Sequence, residues 1–502
     1  MQEKLTELKN HLLESNDLGM IGSLLNWDQS TYMPPAGAAS RGRHMALLAR
    51  LAHEKATDPV IGKLLDELQP WAEQLPYDSD DAATVRVARR NFERQVKVPA
   101  HLLSAFYEHI AVTYQAWTRA RPNNDFASLQ PLLEKTLDLS RRYAECFAPF
   151  DHIADPLINE ADFGMKAASV RKLFGQLRAE LVPLVQTIAS QPVADDSCLR
   201  QHFPESAQRA FGESIIRDYG FDFNRGRQDT THHPFMTKFA SDDVRITTRF
   251  DENDLSGGLF STLHECGHAL YELGINPAYE GTPLDGGASA GVHERQSRLW
   301  ENIVGRSLGF WQKYYPALQD AFPSQLGTVS LDTFYRAINK VQRSLIRTES
   351  DEVTYNLHVI IRFDLELALL EGSLAIKDLP EAWHARYESD LGLRAPSDVD
   401  GCLQDVHWYG GAIGGAFQGY TIGNILSAQF YQTAVNAHPT IPTEITHGQF
   451  ATLHGWLKDN LYIHGSKFTA PELIRRVTGT DLDIQPYIQY LKQKYGGLYP
   501  LY

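Results

Sequence analysis

Asp243-Val244-Arg245-Ile246-Thr247-Thr248-Arg249-Phe250 leads through Asp251-Glu252-Asn253-Asp254 into a run from Ser256 to Gly274 that contains His264-Glu265-Cys266-Gly267-His268. The first segment alternates and is rich in β-branched residues, which predicts a strand closed by a polar turn. The second predicts a helix that begins near Ser256 and stops at Gly274, read as a C-terminal glycine cap. A small sheet beside a central helix is therefore expected. Positions i and i+4 share a helical face, so His264 and His268 can converge on one metal ion. Glu265 lies on an adjoining part of the surface and can reach an activated water without taking a coordination position. Two neutral ligands, one nearby base and one open position are what metal-assisted hydrolysis needs. Helical phase turns Cys266 away from the ligand face. The same five residues could also arise by accident on a surface helix, but Leu263 and Leu270 beside them point to burial.

A third ligand is required, and no His follows His268 at the close spacing of some zinc proteases. Glu294 stands 26 residues beyond His268, in Gly291-Val292-His293-Glu294-Arg295-Gln296-Ser297, at the start of a run continuing through Leu299, Trp300, Ile303 and Val304. Pro277, Pro283 and the Gly286-Gly287 pair supply a loop that can return the chain to the motif. On local evidence Glu294 also reads, less favourably, as a solvated helical acid. Glu272, one turn beyond His268, can orient a ligand from behind or simply be exposed.

Outward from this centre, helical periodicity dominates. Val170, Leu173, Phe174, Leu177, Leu181 and Leu184 recur at three and four. Segments 100–120, 288–312, 331–347 and 351–375 read likewise, and Leu5, Leu8, Leu12 and Leu13 open an amphipathic N-terminal helix. No repeat, low-complexity tract or linker interrupts the chain, so residues 1–502 are expected to form one catalytic domain of mainly α class. Composition agrees: 43% hydrophobic and 22% charged residues describe an ordinary folded protein. The net charge of −15 gives no overall field for nucleic acid or anionic membrane. Val359–Ile376, the greasiest stretch, carries Arg362, Asp364, Glu366 and Glu371, and no segment reaches the roughly 20 clean apolar residues of a membrane span. The N-terminal stretch lacks a signal peptide's apolar core. Cys146, Cys198, Cys266 and Cys402 are scattered, which favours a reducing compartment; a cytoplasmic protein is the expectation.

Several short motifs occur in a fixed order along most of the chain. They are Leu25-Asn26-Trp27-Asp28 with Thr31-Tyr32-Met33-Pro34; His233-Pro234-Phe235; Asp243-Val244-Arg245-Ile246-Thr247; the HExxH; His293-Glu294-Arg295-Gln296; Ile346-Arg347-Thr348-Glu349-Ser350-Asp351; and Gly401-Cys402-Leu403-Gln404-Asp405-Val406-His407-Trp408. In this set the chain resembles the carboxypeptidase Taq family of zinc metallocarboxypeptidases. The resemblance implies a largely helical body with a long deep active-site groove, similar to the neurolysin and angiotensin-converting-enzyme peptidases. It also implies stepwise release of C-terminal residues from peptides, and a homodimer. Three departures stand out: Arg295 where the family has a small residue, Ser350 for Ala, and Ala416 where a Tyr is usual.

With that resemblance, zinc is expected on His264, His268 and Glu294, with Glu265 as general base. Such a site also accepts cobalt or manganese. His407 or a nearby Tyr is the candidate oxyanion donor, with Tyr409 or Tyr420 standing in for the missing Tyr. A free C-terminal carboxylate calls for a guanidinium. Arg347 is the first choice, although it also reads as a surface ion pair with Glu349, Asp351 or Glu352; Arg245 is the second. His233 is a candidate for lining the site, Asp243 and Thr247 for holding its loop, and Trp27-Asp28 for packing a helix end. The competing activities are an oligopeptidase or endopeptidase on the same centre, and a catalytically silent helical binding protein.

Overall fold

The computed structural model describes residues 1–501. The segment read as a strand is β3, Asp243–Thr248, and it lies at the centre of a three-stranded sheet. β1, Gln228–Thr230, runs parallel to it, with Gln228 opposite Ile246; β2, Met236–Ala240, is antiparallel, with Met236 opposite the same residue. Val244 and Ile246 point into the core. The alternate face meets the first helix, Gln2–Thr31, where the Arg245 guanidinium lies 4.5 Å from the Trp27 ring. Trp27 thus packs the end of that helix, as its position in the sequence suggests.

The motif helix spans Leu255–Gly274 and starts on Asp254, whose carboxylate accepts from the Ser256 amide at 2.9 Å. Leu259, Leu263, Cys266, Ala269 and Leu270 are all buried, so this is a core helix rather than a half-exposed one. Gly274 does not act as a left-handed cap. The chain leaves the helix at Ile275 in an extended conformation, and Gly274 is small because a Cβ there would stand 2.6 Å from the Tyr462 ring.

The other periodic segments are helical, with informative differences. Segment 100–120 is the helix Ala100–Ala120, and Ala167–Ala189 buries Val170, Phe174, Leu177, Leu181 and Leu184. The 351–375 reading becomes Tyr355–Glu371, closed by Gly372 at φ +81°. The 288–312 run breaks into a helix Ala290–Arg298, a π-helical turn Leu299–Val304 and a new helix from Leu308. The 331–347 helix stops at Ile338. Beyond it, tertiary partners capture the backbone amides: Val341 donates to the Tyr499 hydroxyl, Gln342 to Asp351 and Arg347 to the Gln404 side chain. Periodicity alone cannot register such competition.

One apolar cluster runs from Ala120 to Tyr499 and encloses the motif helix, while Leu5, Leu8, Ile61, Leu64, Leu65, Leu68 and Val85 of the N-terminal helices form a separate cluster. No helix among the described residues is long and apolar enough to cross a membrane.

Glycine sets the closest helix contacts. A Cβ on Gly267, inside the HExxH, would meet the Gln296 carbonyl oxygen at 2.6 Å and the Ser297 Cα at 2.7 Å. One on Gly423 of the helix Gln418–Ala437 would meet the Glu294 Cβ at 2.8 Å. The Ala290–Arg298 helix, which carries Glu294, is therefore wedged between two glycine faces. Gly267→Ala is expected to cost about 1–3 kcal/mol of stability and to weaken metal binding by shifting Glu294. Gly455→Ala, where nothing lies within 4 Å, is the control. Thermal unfolding and metal titration of both variants check this.

Candidate metal centre

His264 and His268 present their Nε2 atoms 3.9 and 3.6 Å from one Glu294 oxygen. What fixes the rings is on their far sides. His264 Nδ1 lies 2.8 Å from a Glu301 oxygen. His268 Nδ1 lies 2.6 Å from His293 Nδ1, and His293 Nε2 lies 3.0 Å from Glu272. A carboxylate can only accept, so His293 donates from Nε2 to Glu272 and accepts at Nδ1 from His268. By the same logic His264 donates from Nδ1 to Glu301. In their neutral forms both imidazoles are thereby set with a lone pair on Nε2, facing Glu294; burial lowers His264, but Glu294 and Glu301 outweigh it and raise the ring above its ordinary range, so an ion bound there displaces a proton. Glu272 is the orienting acid suggested by its sequence position, acting through His293.

These three groups fit one divalent ion. Ligand atoms bound about 2.1 Å from a common centre stand roughly 3.3–4.2 Å apart, which matches the two distances above. The charge agrees. Glu265, Glu272, Asp285, Glu294 and Glu301 surround Lys238, Arg298 and Arg306, which pair with Glu272 and Asp285, with Glu294 and Glu301, and with Glu301 respectively. Glu272, Asp285, Glu294 and Glu301 against three cations leave one negative charge in a largely buried site, and Glu265 adds a second when it is deprotonated.

The titration behaviour follows from the same contacts. Burial alone would raise Glu294, but Arg298 and the two imidazoles outweigh it and hold the carboxyl well below its usual range. Glu301 and Glu272 are likewise buried yet held at about 2, the first chiefly by His264 and Arg298, the second by His293 and Lys238. Burial takes His268 down to about 4, so it is neutral at pH 7. Glu265 differs: burial pushes it up to about 7, against a downward pull from His264. Glu265, the acid between the two imidazoles, is thus the one poised near neutrality.

A second cluster adjoins the first. Asp405 accepts from Arg347 Nε and Arg362 Nε, each at 2.8 Å, and from His407 Nδ1. His407 Nε2 lies 3.3 Å from the Tyr420 hydroxyl. Arg347 also donates to the Tyr355 hydroxyl at 3.2 Å and stacks 5.3 Å from the Tyr420 ring. Tyr355 joins the clusters, because Arg298 lies 4.8 Å from its ring. Arg347 sits in a 3-10 turn, Arg347–Glu349, and its carboxylate partner is Asp405 rather than Glu349, Asp351 or Glu352.

Other expected residues fall elsewhere. Tyr409 is fully buried, stacks on Trp117 and donates its hydroxyl to the Cys402 carbonyl, so it has nothing to offer a substrate. Arg245 turns its fork onto Asp243 at 2.7 and 2.8 Å. His233 is exposed between β1 and β2; the adjacent Phe235 is pinned by Thr247, whose hydroxyl contacts both its amide and its carbonyl. Arg295 does not enter the pocket. It is fully buried, 4.2 Å from the Phe430 ring, and burial lowers it to about 10. Ala416 is exposed, and Tyr420 is the tyrosine beside His407. Cys266 is buried, and its burial pushes the thiol well up. Glu301, Arg298 and the role of Asp405 were not legible from spacing. The available signal was Glu294, Arg298 and Glu301 at intervals of four and three, alternating in sign within an apolar run.

Two imidazoles one helical turn apart, an acid between them and a carboxylate from the next helix define a metallohydrolase of the HExxH type. The chain belongs to the carboxypeptidase Taq (M32) metallopeptidase family, whose model matches residues 7–495. It is 41% identical over 499 residues to thermostable carboxypeptidase 1 of Thermus thermophilus, covering 97% of each chain. It is 35% identical to carboxypeptidase 1 of Bacillus subtilis, covering 95% of each. The crystal structure of the M32 carboxypeptidase from Deinococcus radiodurans superposes with a TM-score of 0.96 at 53% identity, over 99% of this chain and 100% of that one. The protein is thus a metallocarboxypeptidase by family.

Glu366 braces the loop that carries His407. Its carboxyl accepts from the Trp408 indole at 2.9 Å, its second oxygen has no partner among the described residues, and burial raises it to about 8. An unfolded Glu titrates near 4.3. The native state therefore holds this proton to higher pH than the unfolded chain does. The stabilisation is complete below about 4.3 and is lost as pH rises through about 8. Glu366→Gln, which keeps an acceptor for Trp408, should lose less stability than wild type between pH 5 and pH 9 in urea unfolding. Parallel profiles would contradict a protonated Glu366.

Proposed function

We propose that this chain is a zinc carboxypeptidase that releases C-terminal residues one at a time, with His264, His268 and Glu294 holding the ion. The observation that carries this reading is the convergence of two Nε2 lone pairs and one carboxylate beside a near-neutral Glu265. Bound there, zinc supplies Lewis acidity and lowers the pKa of a water toward about 7; cobalt or manganese is chemically acceptable to the same ligands.

Glu265 takes the proton of the attacking water and delivers it to the leaving amine. The Tyr420 hydroxyl, positioned 3.3 Å from His407 Nε2, turns its one proton from that nitrogen to the oxygen that becomes negative. Arg347 binds the substrate's terminal carboxylate. Three of its five N–H donors face Asp405 and Tyr355 and two remain, while Arg245 has its fork closed by Asp243. The family match over residues 7–495 supports treating the chain as one catalytic unit. Four free cysteines, three of them buried, support a cytoplasmic location, and the homodimer remains a proposal resting on the resemblance.

The test is a mass-spectrometric time course on an N-blocked peptide with a free or an amidated C-terminus, at stoichiometric zinc. A ladder from the free end alone is expected. Equal internal cleavage of both peptides would make the enzyme an endopeptidase and remove Arg347 from its role. Glu265→Gln should lower turnover at least about a thousandfold while zinc remains bound, as read by metal analysis.

A further inference from the structure

Arg86, Arg90 and Arg94 lie four residues apart on one face of the helix Asp80–Lys97. Like charges at this spacing repel, and each needs a partner. Arg94 pairs with Glu160, which also accepts from Tyr143 at 2.6 Å. Arg86 donates to the backbone carbonyls of Tyr77 and Lys467. Arg90 has no carboxylate within 4 Å among the described residues. It donates only to its neighbour Asn91, at 3.2 Å, and stacks 4.6 Å from the Phe163 ring. Burial and the two flanking guanidiniums bring Arg90 down to about 10, so it is still a cation at neutral pH.

This guanidinium borders a cavity of about 400 Å³ lined also by Arg94, Glu160, Phe163, Ser289 and His293. His293 forms the wall toward the metal centre, where it meets His268 through Nδ1 and Glu272 through Nε2. An occupant of the cavity is therefore one side chain away from a metal ligand. The only acid on the wall already faces Arg94 and Tyr143, which leaves the field of Arg90 unanswered. A partly buried guanidinium with free forked donors binds a carboxylate strongly.

We propose that this cavity is a specificity subsite for an acidic side chain of the peptide substrate, with Arg90 as the residue that reads it. The proposal rests on the peptidase reading above. The terminal carboxylate has its own candidate at Arg347, so the cavity is assigned to an Asp or Glu side chain.

The experiment uses the zinc-loaded enzyme and N-blocked peptides that differ by one Glu-for-Gln exchange at each of the last four positions. At one position the wild type should favour Glu over Gln by about tenfold in kcat/KM. In Arg90→Gln that ratio should fall to about one; in Arg90→Lys, which keeps the charge, most of it should survive. Because the readout is a ratio within each enzyme, a general loss of activity in a variant cancels. An active wild type with no such preference, or a preference unchanged in Arg90→Gln, would overturn the subsite and leave the peptidase reading intact. A wild type that cleaves none of the peptides would overturn both.

Discussion

The structure depends on one constraint: the two ligand imidazoles must keep their lone pairs on the same side. A neutral imidazole has one donor nitrogen and one acceptor nitrogen, and only a partner on the far nitrogen decides which is which. Here Glu301 decides it for His264, and Glu272 decides it for His268 through His293. Much of the surrounding architecture serves these two contacts. The π-helical turn Leu299–Val304 carries Glu301. Lys238, on β2, meets Glu272 at 3.1 Å and ties the sheet to the motif helix. Gly267 lets the Ala290–Arg298 helix come close enough for Glu294 to complete the set.

Charge explains why these groups tolerate burial. An isolated carboxylate in a protein interior would neutralise. Glu272, Glu294 and Glu301 stay ionised because Lys238, Arg298, Arg306 and the imidazoles surround them. Glu265 has no cation of its own in contact, and it is the acid that burial raises. One site thus holds ionised acids beside the two imidazoles and one acid poised near neutrality. The second cluster repeats the logic: Asp405 is ringed by Arg347, Arg362 and His407, which leaves the far nitrogen of His407 directed at Tyr420.

Much of this was legible in the sequence because it is local. The strand, the motif helix and the two imidazoles follow from alternation and helical phase; a loop rich in Gly and Pro made Glu294 a candidate, and the family resemblance singled it out. The misses are non-local. The 331–347 run keeps a helical period, yet Tyr499, Asp351 and Gln404 claim its amides. Gly274 looks like a cap, yet it is small for Tyr462. Tyr409 and Tyr420 are indistinguishable by type and spacing, and packing against Trp117 buries the first. Arg295 follows Glu294 directly in sequence, but helical phase turns it to the Phe430 ring. His293 was visible next to Glu294, but nothing in its spacing shows that it bridges Glu272 to His268.

The central claim is tested most directly by a crystal structure of the zinc-loaded protein with anomalous data at the zinc edge. The account predicts one ion bonded to Nε2 of His264, Nε2 of His268 and the Glu294 carboxylate, with Glu301 and His293 still on the Nδ1 atoms. An ion bound through Nδ1 of either histidine, or seated away from Glu294, would contradict it.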